Sequence, residues 1–146
     1  MKKVSSIKLL LALFILSAVP SLVNAQCNAF TKKKCMPQLA PYIHNGQLNS
    51  TTLTPGETAE LMMTFYSGQN YRVLVCAQEI LGDVSFKILD SEKNQLFNSK
   101  DKGAKFWDFN VKSTQQLIIE VIVPESNTPN AIVQSGCISV LVGFKN

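Results

Sequence analysis

Histidine occurs once in the 146 residues, at position 44, and that scarcity removes most hydrolytic chemistry. A Ser or Cys nucleophile needs a base within hydrogen-bond reach, usually His. His44 sits in a Pro/Asn/Gly-rich stretch with no G-x-S-x-G nearby, so it is expected to be a surface loop residue. No C-x-x-C spacing exists, and a zinc site would therefore need an unusual cage of four thiolates. No phosphate-cradling glycine loop and no dinucleotide fingerprint occurs, and nothing in the sequence requires a cofactor. Charged residues are only 16% of the chain against 46% hydrophobic, which excludes a disordered polyelectrolyte and a polybasic nucleic-acid tail. Internal repeats, low-complexity tracts and Gly/Ser linkers are also missing.

What is present begins with an export signal. Lys2, Lys3 and Lys8 precede the apolar run Leu9 to Leu16, and Val23-Asn24-Ala25 has the small-residue pattern of a cleavage site. The run breaks at Pro20, short of the ~20 apolar residues that cross a bilayer, so no stable membrane anchor is expected. Cys27 follows closely, but Gln26 before it is too large for a lipid-attaching signal. Residues 1–25 are read as a signal peptide cleaved after Ala25, with a secreted or periplasmic destination. They carry three of the 14 basic residues and none of the 10 acidic ones, which leaves 11 against 10 and a net charge of +1. Such a near-neutral protein has no long-range field to draw it to nucleic acid or anionic lipid. Lys32-Lys33-Lys34 reads as a solvated loop.

Residues 26–146 suffice for one two-layer core. Cys27, Cys35, Cys76 and Cys137 all lie there, and an even count in an exported chain argues for two disulfides. Three pairings are open. The favoured one joins Cys27 to Cys35, closing a short local loop, and Cys76 to Cys137, clipping two strand-like segments. In the chain-entropy picture these contribute about 2.5 and about 4 kcal/mol.

From Thr58 onward the chain reads as strands. Ala59, Leu61, Met63 and Phe65 alternate with Glu60, Met62, Thr64 and Tyr66, the two-residue period of a sheet with one buried face. Beyond the turn Ser67 to Asn70, the run Tyr71 to Cys76 places Tyr71, Val73 and Val75 on one face and Arg72, Leu74 and Cys76 on the other, with both partly covered. Val84, Phe86 and Ile88 lead through Asp90 to Asn94 into Gln95 to Phe97, a hairpin pattern. Phe106 to Val111, Leu117 to Val123 and Cys137 to Phe144 continue it. Six or so short strands between turn clusters define an all-β class, an antiparallel, jelly-roll-like β-sandwich over residues 52–146. Residues 26–51 form a disulfide-linked arm. Pro37 and Pro41 make Thr31 to Ile43 extended rather than helical, with Leu39, Tyr42 and Ile43 lying against the sandwich.

The stretches Leu53-x-Pro-Gly56, Gly68-x-x-Tyr71-x-Val73-x-Val75, Phe86-x-Ile88-x-Asp90, Phe106 to Phe109 and Leu117 to Val123 resemble the bacterial pre-peptidase C-terminal domain over about residues 52 to 144. That resemblance implies a secreted β-sandwich and an accessory role in binding or secretion. The whole chain is also similar to small exported proteins of the Bacteroidota, which implies an envelope location.

Two functions from different classes follow. The first is a non-catalytic exported module that binds a partner protein or glycan, or supports an envelope assembly. In Phe106-Trp107-Asp108-Phe109, Phe106 and Trp107 cannot both point inward. Trp107 and Phe109 are expected in the core, with Phe106 under the arm. An exposed aromatic here would make a platform for a sugar ring or protein, joined by Tyr66 and Tyr71 if their turn lies at the same end. The second is a secreted hydrolase whose paired carboxylates, Glu57 with Glu60 or Asp101 with Asp108, face one another. Asp83, Asp90, Glu92 and Asp101 lie at strand ends where calcium ligands could converge, without the spacing of a defined calcium loop.

Overall fold

The computed structural model describes residues 22–127 and 132–145, with side chains from Gln26 onward. The expected signal over residues 1–25 lies outside the described residues, apart from the main chain of 22–25. Strands dominate, because most segments after residue 48 alternate or are rich in β-branched residues. They are β1 (Ile43–His44), β2 (Asn49–Leu53), β3 (Thr58–Phe65), β4 (Asn70–Ala77), β5 (Ser85–Leu89), β6 (Gln95–Asn98), β7 (Phe106–Asn110), β8 (Gln115–Ile122) and β9 (Gly136–Lys145).

All pairings are antiparallel and form two sheets. The first runs β1-β9-β4-β7, with β2 also on β9; the second runs β3-β8-β5-β6. The all-β sandwich expected from the strand pattern is therefore present. Inward residues of both sheets, among them Phe65, Val73, Phe86, Ile88, Leu117, Ile119 and Val140, make one core. Asp90 carries the β5 to β6 turn in the expected way, its Oδ1 accepting the N–H groups of Glu92 and Asn94, each at 2.9 Å. Asn94 Nδ2 donates to Oδ2 at 3.0 Å as well, and this bond first, then the two N–H groups, holds the Asp90 carboxyl below the ordinary carboxylate range.

The outer face of the first sheet carries a second core. Cys35, Leu39, Leu74, Cys76 and Leu141 are buried together, and Phe30, Met36 and Tyr42 pack on them. The arm that supplies five of these eight residues is helical up to Leu39, contrary to the extended expectation. Helix α1 (Leu22–Phe30) runs into a π-turn (Thr31–Cys35) and a 3-10 turn (Met36–Leu39). Pro37 falls in the first turn of that last segment, where its missing N–H breaks no helical bond. Leu39 is buried as expected, whereas Ile43 is 64% exposed. Sheet pairing already starts at Ile43, so the 51/52 boundary expected from sequence falls inside β2.

The favoured disulfide pairing is corrected: Cys27 joins Cys137 and Cys35 joins Cys76. The helical arm is the reason. Eight residues of helix separate two Cα atoms by about 12 Å, far beyond the span of a disulfide. Each arm cysteine instead reaches down to a strand beneath it, Cys137 on β9 or Cys76 on β4. Between the bridges the hydroxyls of Thr31 and Ser139, both fully buried, share a short hydrogen bond. Thr31 Oγ1 gives its own hydrogen to Cys27 O at 2.8 Å, so Ser139 is the donor. Gly143 lets the arm lie close, since a Cβ there would stand 2.7 Å from Tyr42 Cβ.

Non-reducing peptide mapping is expected to recover Cys27 linked to Cys137 and Cys35 linked to Cys76. Sequence separations of 110 and 41 close long loops. Opening them singly by paired Cys→Ser exchange should therefore cost about 5 and about 4 kcal/mol in denaturant unfolding. A Cys27 to Cys35 peptide would contradict this fold.

Candidate functional site

A two-sheet sandwich has two lateral edges, and here they differ. At one, between β6 and β7, aromatic rings fill the gap. Trp107 stacks on Phe97 with centroids 5.4 Å apart and on Phe109 at 4.1 Å. At the other, β1 and β2 of the first sheet face β3 of the second, and two openings remain. The smaller, about 190 Å³, is apolar and reaches the core side chains Ile119, Val121, Ile138 and Val140. Asn49 lies on its rim, and its Nδ2 is buried without a partner. The larger, about 590 Å³, is a groove floored by Phe65, Val142 and Phe144 and walled by Asn45, Gln47, Gln69 and Tyr66.

Local sequence explains the groove. The turn Asn45 to Leu48, with Gly46 at φ +89°, separates β1 from β2. Asn45 N–H bonds Val142 O at 2.9 Å, which anchors the turn on β9. Opposite, β3 ends at Phe65 and Tyr66 leaves the strand, 62% exposed. Its N–H donates to the hydroxyl of Tyr71 at 3.1 Å. Tyr71 is itself buried, its ring edge-on to Phe65 at 5.0 Å.

The five aromatics singled out from sequence thus occupy three places. Tyr66 and Tyr71 line the groove together. Trp107 and Phe109 pack against the main core, partly buried. Phe106 is 41% exposed on the outer face of the first sheet. What covers Phe106 is Arg72, whose guanidinium lies 4.0 Å over its ring and 4.6 Å over that of Tyr42, the arm residue. The same guanidinium grips both Asp108 oxygens at 2.7 Å and donates to Ala40 O at 3.0 Å. This clamp went unread in the sequence; the facing Arg72 and Asp108 become a pair only once β4 lies beside β7.

The carboxylates considered for catalysis do not converge. Asp108 serves Arg72, Glu60 bonds Lys93 at 2.8 Å, and Glu57 Oε2 accepts the N–H of Thr54 at 2.6 Å. Asp101 lies exposed in the one-turn helix Ser99–Lys102. Glu57, Asp90 and Asp108 are all shifted below the ordinary carboxylate range, each chiefly by hydrogen bonds to the charged form. That is the direction of an acceptor held ionised, opposite to the raised value a general acid needs. Asp83 pairs with Lys105 at 3.5 Å, and no three metal-binding side chains cluster among the described residues. His44 is held in its turn, its Nε2 3.1 Å from Gln47 O. Lys32, Lys33 and Lys34 are exposed on the arm.

Together these features define a disulfide-linked antiparallel β-sandwich with an open lateral groove, and the bridges fit an exported, oxidising setting. Among the described residues no helix is long and apolar enough to cross a membrane. No protein-family model and no curated protein matches the chain. Among solved structures it is similar in fold to PliG of Aeromonas hydrophila, a periplasmic lysozyme inhibitor of g-type lysozyme. The TM-score is 0.52 at 11% identity, covering 72% of this chain and 89% of that one.

The Arg72 to Asp108 clamp has a defined pH signature. The folded carboxyl of Asp108 sits below its ordinary value of 3.8. Its contribution to stability is therefore complete above that value and is lost as pH falls through the folded one. Asp108→Asn is expected to flatten the acid limb of a stability-against-pH profile measured by thermal unfolding. Because the Asp108 side chain is 37% exposed, screening limits the loss at neutral pH to about 1–2 kcal/mol. An unchanged acid limb would contradict the clamp.

Proposed function

We propose that this protein is a non-catalytic exported binding module that holds a component of the cell envelope in the groove between β1 to β2 and β3. The observation that carries the reading is the groove itself, a concave surface with an exposed aromatic and no titratable acid, base or nucleophile beyond two tyrosines along its walls. The acids of the chain support it from the other side, since each of the best-placed ones is committed to a cation or a turn.

The likeness to a periplasmic inhibitor supports action on another molecule, and it supports a protein as partner. Secretion or periplasmic residence agrees with the two bridges, and removal of residues 1–25 after Ala25 is part of the proposal.

Purified residues 26–146 are expected to leave peptidoglycan, ester and peptide substrates unhydrolysed, and immobilised on a column to retain an envelope component that Tyr66→Ala releases. Turnover abolished by Glu57→Gln, Glu60→Gln, Asp101→Asn or Asp108→Asn would overturn the reading in favour of a carboxylate hydrolase.

A further inference from the structure

We propose that the groove beside β3 binds a neutral glycan, with Tyr66 as stacking platform and Asn45, Gln47 and Gln69 as hydrogen-bonding groups. This rests on the reading that the groove is the binding surface and adds the chemistry of what fills it.

The lining decides the ligand class by exclusion. No Asp, Glu, Lys, Arg or His lines the groove, so a phosphorylated or carboxylated ligand would leave its hydration without a counter-charge. An acyl chain would cover Met62, Met63, Phe65, Val142 and Phe144 but strip water from Asn45, Gln47, Thr64 and Gln69 and return no hydrogen bond, at a cost for each stranded group. A neutral polyol avoids both penalties, because each hydroxyl is donor and acceptor and each primary amide is the same.

The polar atoms are free to serve it. Asn45 Oδ1 receives the N–H of Gln47 at 3.0 Å, and Asn45 Nδ2 has no partner among the described residues. The side chains of Gln47, Gln69 and Thr64 are equally uncommitted to protein. The Tyr71 hydroxyl accepts from Tyr66 N–H, and its own hydrogen has no protein acceptor.

Their backbones are fixed before any ligand arrives. Asn45 N–H is bonded to β9, and Gln69 O accepts the N–H of Val111 at 3.1 Å. Tyr66, 62% exposed, lines the groove with these donors and supplies an aromatic ring of the kind on which the C–H face of a pyranose packs. A peptide strand added to β3 would use the main chain of that edge instead and leave the amides across the groove to water. The volume, about 590 Å³, suits a short oligosaccharide segment.

Titration calorimetry of residues 26–146 with chitotetraose, cellotetraose, laminaritetraose and mannotetraose tests this. At least one is expected to bind with Kd of about 0.1–1 mM. Tyr66→Ala should weaken it at least about tenfold. Gln69→Ala, which keeps the main-chain oxygen that accepts from Val111, should weaken it several-fold, while Phe106→Ala, outside the groove, leaves it unchanged. Absence of heat from all four sugars up to about 5 mM overturns the proposal. If an envelope protein is then retained in a Tyr66-dependent way, the groove holds protein and the binding-module reading stands. If neither sugar nor protein retention depends on Tyr66, both readings fall.

Discussion

Strand β9 is buried over its whole run from Gly136 to Gly143, and the rest of the molecule is arranged around that constraint. Ile138, Val140 and Val142 face the other sheet. Their neighbours Cys137, Ser139, Leu141 and Gly143 face the helical arm through a disulfide, a hydroxyl pair, an aliphatic contact and a close approach. A strand hidden on both faces needs a cover on each, and a single sandwich provides only one. The arm is the second cover, tied down covalently at Cys27 and Cys35. The Arg72 clamp extends the same attachment beyond the bridges, since its guanidinium stacks on Tyr42 and bonds Ala40 O where the arm enters β1.

The lateral edges explain why the groove exists. Rings of Phe97, Trp107 and Phe109 close one side, and no comparable aromatic wall closes the side between β2 and β3. There the first sheet ends in two short strands broken by the Asn45 to Leu48 turn, so the gap to β3 keeps an apolar floor of Phe65, Val142 and Phe144 beneath a rim of turn amides. An edge built this way keeps polar groups solvated and accessible, the condition for recognising a ligand without chemistry. Charge plays a different part. Arg72 with Asp108, Lys93 with Glu60, Lys87 with Glu120 and Lys105 with Asp83 pair cations with anions, and none of the eight lies in the larger groove.

Particular elements show how far sequence reading reaches. The alternation from Ala59 to Phe65 places the buried and exposed faces of β3 correctly, and Asp90 to Asn94 reads correctly as a hairpin turn. The arm departs from the extended expectation because neither of its two prolines interrupts a helical turn. Pro37 stands in the first turn of its segment, where a missing N–H breaks no helical bond, and Pro41 follows the last turn. The disulfide pairing failed for the same reason, since proximity along an assumed loop differs from proximity along a helix. Of the aromatics, Tyr66 and Tyr71 share a site because a four-residue turn joins them, whereas Phe106 and Trp107 are adjacent and separate, pointing to opposite faces of β7.

By itself the sequence determined the all-β class, the facing of most side chains, the cysteine count suited to an oxidising compartment and the shortage of catalytic groups. Each of these depends on residue type or on spacing of a few positions, and such short-range patterns survive without knowledge of the fold. Tertiary structure alone decided which cysteines meet, that a helical arm roofs the first sheet, that Arg72 finds Asp108 across two strands, and that the β1 to β2 turn stands opposite β3. Those outcomes depend on contacts between segments dozens of residues apart, whose partners are selected by shared burial and closure of the core rather than by any local signal.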